Sequence, residues 1–270
     1  MPFFRFEDFE SHRLTPHLSS AEGPIIEGRY IYFCKVRKKA GTGSELHYHP
    51  NELLIFPLEG RINALVGRAR RIVAPGTFVH VPPYALHYMK ATEAGPMNYL
   101  YIKDRTWTVV GVAADEAPPD RAPSVEEVNR VYETGKWPGR EKAPGKALGR
   151  AEGLGECYYR MADSLAPGPS SGLRFAWVEG ARMAFGFFEV PPGLGTPAFG
   201  AAREQFLYVI RGRLEAEVGK ERREAGPGDI VHVPKGTEGR FAAAGEGACF
   251  AAVRSLPALE DALDRAAASA

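Results

Sequence analysis

The feature that most constrains the fold of this chain is an internal repeat. Turn-forming residues recur at one fixed offset of 152 positions over roughly forty residues, with no net insertion or deletion. Chance agreement would not hold one register over that span, so two homologous domains in tandem are expected. The matching pairs are Gly41 and Gly193, Glu52 and Glu204, Gly60 and Gly212, Gly76 and Gly228, and His80-Val81-Pro82 and His232-Val233-Pro234.

Each copy has the pattern of a series of short strands. Segments rich in aromatic and β-branched residues run from Arg29 to Lys103, and turn signals containing Gly, Pro or Asn separate them. A similar series begins near Arg174. Many short strands joined by tight turns predict an all-β sandwich or barrel in each copy.

Two helices are predicted outside the strand-rich copies. Ser124 to Glu127 forms a capping-box pattern, and the helix that follows is expected to end at Gly135. Pro257 suits the first position of a C-terminal helix. The predicted organisation is an N-terminal β-domain over residues 1–110, a linker with a short helix over 111–172, a second β-domain over 173–256 and a helix over 257–270.

Composition excludes several classes of protein. The formal net charge is +1, so neither nucleic acid nor a membrane is an expected partner, and the basic cluster Lys35, Arg37, Lys38 and Lys39 is interpreted as a solvated face. The 3 cysteines are far apart, which favours a reducing compartment over a disulfide framework. No apolar run is long enough to span a membrane, and the N-terminus lacks the apolar segment of a signal peptide. A cytoplasmic protein is therefore expected.

The chemistry is concentrated between Gly41 and Gly60. His47 and His49 are two residues apart, and on a strand such side chains leave the same face. Two imidazoles on one face can converge on a transition metal, for which imidazole is a suitable ligand. One further ligand from elsewhere in the chain would complete the site.

These residues resemble the two motifs of the cupin superfamily. The resemblance implies a bicupin, that is, two tandem double-stranded β-helix (jelly-roll) barrels, each able to hold a ligand in its lumen. It also implies that His87 is the third metal ligand and that the protein is a homodimer. Tyr84 stands where the family usually has glycine. The residues that fit are Gly41, His47, His49 and Gly60 in the first motif, and Gly76, Pro82 and His87 in the second.

The first departure from the family pattern concerns a carboxylate. Many cupins carry a Glu ligand where this chain has Leu53. Glu52 is adjacent, but strand alternation turns it away from the lumen unless a local bulge turns it inward. Glu45 lies two residues before His47 and is either a further acid near the metal or a charge at the barrel rim. Glu45, Glu52 and Tyr84 are the candidate catalytic groups, with no acid or base assigned among them.

The second departure lies in the second copy. Its residues at the three histidine positions are Phe199, Ala201 and Gly239, and Gln205 occupies the acidic slot. A metal site is therefore expected only in the N-terminal domain, while the second domain serves packing, dimerisation or pocket shape. His80 recurs as His232 in this copy, so a shared structural role is expected for that pair.

Three histidines without a carboxylate leave coordination positions open on a metal, and they leave its double positive charge uncompensated. This favours a small anionic, oxygen-bearing ligand such as an aromatic acid, a diketone or a hydroxy-acid. The arrangement resembles gentisate-type ring-cleaving dioxygenases, which implies an Fe(II) dioxygenase, with Ni, Mn, Zn, Co or Cu as other metals. Two alternatives stay open: a metal-dependent isomerase, decarboxylase or lyase that needs no O₂, and a non-catalytic bicupin that binds a small ligand.

Overall fold

Short strands separated by turns make up most of the chain. A computed structural model describes residues 1–135, 142–143, 145–169, 172–196 and 201–268. The strands are β1 (Phe3–Arg5), β2 (Ser11–Arg13), β3 (Glu22–Glu27), β4 (Ile31–Lys38), β5 (His47–Tyr48), β6 (Leu53–Glu59), β7 (Ile62–Val66), β8 (Ala69–Val73), β9 (Thr77–Val81), β10 (His87–Ala91), β11 (Met97–Asp104), β12 (Val112–Ala113), β13 (Tyr158–Arg160), β14 (Ala166–Pro167), β15 (Arg174–Glu179), β16 (Met183–Val190), β17 (Gln205–Val218), β18 (Glu221–Ala225), β19 (Asp229–Val233) and β20 (Gly239–Ser255). The helices are α1 (Val125–Thr134), α2 (Met161–Ser164) and α3 (Pro257–Ala268), and a 3₁₀ turn covers Phe6–Asp8.

The described chain divides into two compact units. One comprises Glu10–Ile25 and Tyr32–Tyr159, and the other comprises Met1–Phe9, Ile26–Ile31 and Arg160–Ala270. The sequence-based boundaries at residues 110, 172 and 256 stay predictions.

The unit that contains the histidine motif is built on two antiparallel sheets. One sheet has the strand order β12-β5-β10-β7-β8, and the other has the order β13-β9-β6-β11-β4-β3-β2. Alternate residues of β4, β6 and β11 bury apolar side chains in a common core, as period-two alternation requires. Cys34, Val36, Leu53, Ile55 and Tyr99 are among them. This core surrounds the space into which the motif histidines project.

The other unit is built on a single eight-stranded sheet. Its order is β1-β19-β17-β20-β16-β15-β14, with β18 paired to β17. Residues 205–218 form one long strand, β17, which bends at a register shift beside Gly212. Gly212 has φ 74°, and a Cβ atom there would lie 1.9 Å from the carbonyl oxygen of Gly247, so only glycine fits this bend.

Both predicted helices are present. Ser124 accepts a hydrogen bond from the Glu127 amide, Glu127 accepts one from the Ser124 amide, and α1 ends at Gly135 with φ 65°. Helix α3 begins at Pro257, as its first-position preference predicts. Among the residues that the structure describes, no helix is long and apolar enough to cross a bilayer. The all-β prediction with a linker helix and a C-terminal helix is confirmed.

Candidate metal centre

Two paired strands bring the three motif histidines together. His47 on β5 and His87 on β10 are direct partners in the antiparallel register, and His49 follows β5 on the same face as His47. The ring centroids lie 4.2 Å apart for His47 and His87, and 4.7 Å apart for His49 and His87. Those of His47 and His49 are 6.2 Å apart. All three side chains are buried, so the predicted cluster exists as a cluster in space.

Backbone carbonyl groups orient each of the three imidazole rings. A carbonyl oxygen can only accept, so each Nδ1 carries the proton and each Nε2 keeps its lone pair. The Nε2 atom of His49 is buried and has no hydrogen-bond partner among the described residues. Such an orphaned lone pair is what a metal ligand presents before it binds. The Nδ1 acceptors are the carbonyl oxygens of Glu45, Asn51 and Ala85, at 2.8, 2.8 and 2.9 Å from His47, His49 and His87.

The protein surroundings keep the imidazoles neutral. Burial lowers the pKa of His47 and His49 well below the usual value, and it lowers the pKa of His87 to about 3. Neighbouring positive charge on Lys103 and Lys38 contributes in the same direction for His47 and His87. Neutral imidazole is the form that ligates a metal.

The donor chemistry of this cluster fits a divalent transition metal. Three neutral imidazoles with restrained Nδ1 atoms are the ligand type that Mn, Fe, Ni, Cu and Zn accept. In the described part of the chain, no group of three or more His, Cys, Asp or Glu residues forms a ready-made metal site.

A small cavity adjoins the imidazoles. It measures about 20 Å³, which is room for a water molecule or an ion. His47, His87, Lys38 and Leu53 line it, together with two tyrosines of β11. No Asp or Glu is among its lining residues in the described part of the chain. Leu53 thus occupies the lumen, as strand alternation predicts.

Glu52 pairs with a histidine outside the imidazole cluster. Its carboxylate lies 2.7 Å from Nε2 of His80, and its backbone amide donates to Asp104. The second unit repeats the pair, with Nε2 of His232 at 3.0 Å from the carboxylate of Glu204. The repeat therefore preserves a buried Glu–His pair, and the alternative in which a bulge turns Glu52 into the lumen is not what the structure contains.

Glu45 and Tyr84 lie outside the cavity. Glu45 is exposed, and only its backbone carbonyl oxygen contacts the imidazole cluster. Tyr84 is 46% exposed and packs its ring on that of Tyr48. Its φ of 63° lies in the left-handed region, which accounts for the usual glycine at this position of the family motif. As placed, neither side chain reaches the imidazoles, so their catalytic roles stay predictions.

The expectation that Lys38 belongs to a solvated face is wrong. Lys38 is buried, and its Nζ donates to the carbonyl oxygen of Met89 at 2.8 Å. Lys103 on β11 is also buried, and its Nζ donates to the carbonyl oxygen of Val109 at 3.0 Å. The alternation of side chains along β4 and β11 indicates that both lysines are buried, because each lysine continues a series in which every second residue faces inward. The sequence interpretation missed it by treating the basic run as one surface.

The segment after β11 closes over the imidazole cluster. A Cβ atom on Gly111 would lie 2.5 Å from Cδ2 of His47, so the backbone itself packs against the ring. The Gly111 amide donates to Oγ1 of Thr15 at 3.1 Å. The carbonyl oxygen of Val109 accepts from the hydroxyl of Tyr101 as well as from the buried lysine of β11. This strap of residues 109–111 limits solvent access to His47.

The position equivalent to His87 is crowded in the second unit. A Cβ atom on Gly239 would lie 3.0 Å from the ring of Phe241 and 3.0 Å from Val233, so Phe241 takes up the space of an imidazole. Gln205 is buried at the start of β17, and Ala201 offers no ligand. Phe199 lies outside the described residues. The expectation of a single metal site, in the unit that bears the histidines, stays a prediction. The packing around Gly239 supports it.

Comparison with protein families shows which family the chain belongs to. A model of the cupin domain matches residues 35–103 and again residues 186–253. The chain belongs to the cupin family. Because the cupin domain occurs twice, the protein is a bicupin, and the two matches coincide with the two copies of the 152-residue repeat. No curated protein sequence matches this cupin.

Solved structures share its fold at low sequence identity. Oxalate decarboxylase from Bacillus subtilis is 18% identical with a TM-score of 0.65, and the alignment covers 94% of this chain and 76% of that enzyme. Another structure of oxalate decarboxylase from Bacillus subtilis, from work on the EPR parameters of its Mn(II) centres, is 17% identical with a TM-score of 0.65, and the alignment covers 94% of this chain and 76% of that chain. AerE from Microcystis aeruginosa is 14% identical with a TM-score of 0.64, covering 94% of this chain and 99% of AerE.

Proposed function

We propose that this bicupin is a metal-dependent enzyme that acts on a small carboxylate without consuming O₂, by decarboxylation or related lyase or isomerase chemistry. His47, His49 and His87 are the proposed metal ligands. The observation that carries the proposal is the cluster of three buried, neutral imidazoles, with Nδ1 restrained and the Nε2 atom of His49 orphaned. The proposed metal is divalent, and Mn(II) is the first candidate because the structurally similar oxalate decarboxylase has Mn(II) centres.

The two candidate reaction classes have unequal support. The Fe(II) dioxygenase, the first expectation from the sequence, rests only on the absence of a carboxylate ligand. The oxygen-independent alternative has the additional support of the decarboxylase likeness, which establishes fold alone.

The residues of this chain supply the setting for that chemistry. A bound divalent metal would act as a Lewis acid on a carboxylate oxygen. Leu53 and the strap of residues 109–111 limit the access of bulk water to the same space, which strengthens electrostatic interactions within it. The backbone carbonyl oxygens of Glu45, Asn51 and Ala85 hold the three imidazoles in the tautomer that presents Nε2.

Metal analysis tests the ligand assignment. Protein purified without chelator is expected to contain about one transition metal ion per chain. The double variant His47→Ala and His49→Ala should lose it, while His12→Ala, a histidine outside both motifs, should retain it. Equal metal content in the double variant and in the wild type would contradict the assignment.

Anaerobic assays test the reaction class. Loss of a small carboxylate or release of CO₂ with oxygen excluded, from a panel of short mono- and dicarboxylates under Mn(II) loading, is the expected result. Oxygen uptake with diols, diketones or hydroxybenzoates under Fe(II) loading would favour the dioxygenase instead. Tight binding without turnover under either condition would favour the non-catalytic ligand-binding protein.

Location and assembly are part of the proposal. We propose a cytoplasmic protein, because Cys34, Cys157 and Cys249 are all free thiols and all buried. We also propose a homodimer, which is what the cupin resemblance implies. Light scattering of the purified protein, with a mass near 59 kDa expected from twice the 29.5 kDa chain, tests the second point.

A further inference from the structure

We propose that Lys38 and Lys103 form an anion-binding pair in the lumen, and that the ligand of this cupin is a small dianion, such as a short dicarboxylate. One acidic group of the ligand would face the imidazoles and the other the two ammonium groups. The proposal rests on the proposed function only for the first of these contacts.

Both lysines continue an inward-facing series of side chains, and Lys38 lines the cavity itself. Cys34, Val36 and Lys38 follow each other at every second position of β4, and the first two belong to the apolar core. Lys103 continues the series of Tyr99 and Tyr101 on β11 in the same way. Both side chains therefore point inward.

Each of the two amines lies near a tyrosine ring of β11. The Nζ atom of Lys38 lies 6.0 Å from the ring centroid of Tyr99, and that of Lys103 lies 5.3 Å from the ring centroid of Tyr101. The two tyrosine rings are themselves 6.3 Å apart. Both lysines act electrostatically on His47 as well, so the amines and the imidazoles share one neighbourhood.

Hydrogen-bonding capacity remains on both amines. Each ammonium has three donors. In the part of the chain that the structure describes, Lys38 donates to the carbonyl oxygen of Met89 and Lys103 to that of Val109, and neither lysine takes part in an ion pair. Each amine therefore uses one N–H group within the protein and has further N–H groups that can donate to a ligand.

In the described residues, the lining of the cavity offers the lysines no carboxylate. Glu52 is directed to His80, Glu45 is exposed, and no carboxylate lines the cavity in the described residues. Burial lowers the pKa of Lys38 to about 7 and that of Lys103 well below its usual value, although the carboxylate of Asp104 acts in the opposite direction on Lys103. An anion beside the two amines would favour their charged form. A bivalent metal adds further positive charge. An anion with two negative groups offsets this charge better than a single carboxylate of the same size.

The closing experiment compares two probes of nearly equal size that differ by one charge. Oxalate carries two carboxylates, and oxamate replaces one of them by an amide. Calorimetric titration of the wild type, both Mn(II)-loaded and stripped with chelator, should show binding of oxalate at least about tenfold tighter than oxamate. In Lys38→Met and in Lys103→Met this ratio should fall towards one, while Lys39→Met, an exposed neighbour, should keep the wild-type ratio.

Folding is checked in the same variants. Replacing a buried lysine by methionine removes a desolvated charge and keeps a similar volume, so the melting temperature should be unchanged or higher. Should either methionine variant fail to fold, Lys38→Gln and Lys103→Gln provide the same charge removal with a polar group, and the ratio is measured there.

Failure of this proposal can be told apart from failure of the proposed function. An unchanged oxalate-to-oxamate ratio in both lysine variants, or a wild type that binds neither probe, overturns the anion-binding pair. Metal content is measured separately on each lysine variant and is expected to match the wild type. Metal that persists in the His47→Ala and His49→Ala variant would overturn the metal centre, while the ratio in stripped protein would still test the lysines.

Discussion

At the scale of single residues, the site is defined by what is absent as much as by what is present. Three imidazoles meet at one place with their Nδ1 atoms on backbone carbonyl oxygens. Leu53 lies where a carboxylate would offset the charge of a metal, and Lys38 adds to that charge. The electrostatic character of the lumen therefore favours an anion brought in from solution.

The backbone of Gly111 packs directly against the ring of His47. Gly111→Ala would place a Cβ atom 2.5 Å from Cδ2 of the ring, so the ring or the strap must move. We expect a stability loss of about 1–3 kcal/mol and weaker metal binding by about 10-fold or more. Thermal unfolding and metal titration measure the two effects.

Gly95→Ala is the matched control for Gly111→Ala. A Cβ atom there meets nothing within 4 Å, so both stability and metal affinity should stay at wild-type values. Equal metal affinity in the two variants would mean that the strap does not position His47.

At the scale of elements, the clearest device is a buried carboxylate that gathers backbone amides. Glu204, at the start of β17, accepts hydrogen bonds from the amides of Arg29, Tyr30 and Ile31 at 2.6, 2.8 and 3.1 Å. Its side chain is buried and also pairs with His232. One carboxylate thus fixes the path of residues 26–31 within their unit.

Glu204→Gln should weaken this junction considerably. The amide cannot accept from all four donors, and its own NH₂ group would face N–H groups in a buried place. We expect a loss of about 2–3 kcal/mol in the free energy of unfolding. Glu217→Gln, an exposed position of the same strand, should change it by no more than about 0.5 kcal/mol. Denaturant unfolding of both variants decides, and equal midpoints would refute the role of Glu204.

Helix α1 depends on its capping box. Ser124→Ala removes the oxygen that accepts from the Glu127 amide at 3.1 Å, and the expected cost is about 1 kcal/mol. The sensitive measurement is amide hydrogen exchange in α1, which should speed up there and not in β17. Replacement by Asp, which also caps, should restore protection, and faster exchange in the Asp variant would contradict the capping explanation.

At the scale of the whole molecule, metal and stability are expected to be linked. A metal that binds only the folded chain stabilises it by about 2.7 kcal/mol when its concentration is 100 times the dissociation constant. Adding chelator to the metal-loaded protein should therefore lower the melting temperature. The same chelator should leave the His47→Ala and His49→Ala variant unchanged. If neither metal nor chelator changed the melting temperature of the wild type, the proposed metal centre would be contradicted.

Much of the architecture followed from the sequence because its signals are local or periodic. A constant 152-residue offset predicts two copies, and positions that demand special backbone geometry, such as Gly212 and Gly135, mark the turns and helix ends. The His47 and His49 spacing predicts a shared face because strands alternate with period two. The resemblance to cupin motifs then pointed to His87, and the structure pairs it directly with His47.

Tertiary structure decided what has no local signature. That Glu52 pairs with His80, and that Lys38 and Lys103 face the lumen, depends on which strands become neighbours. The basic run around Lys38 looks like a surface in sequence, because composition does not record which side of a strand is buried. Sequence by itself determined a two-copy β-protein with a three-histidine cluster. The packing of strands against each other determined that this cluster adjoins a cavity lined by Lys38 and, among the described residues, by no carboxylate, since burial and charge balance arise only from contacts between distant segments.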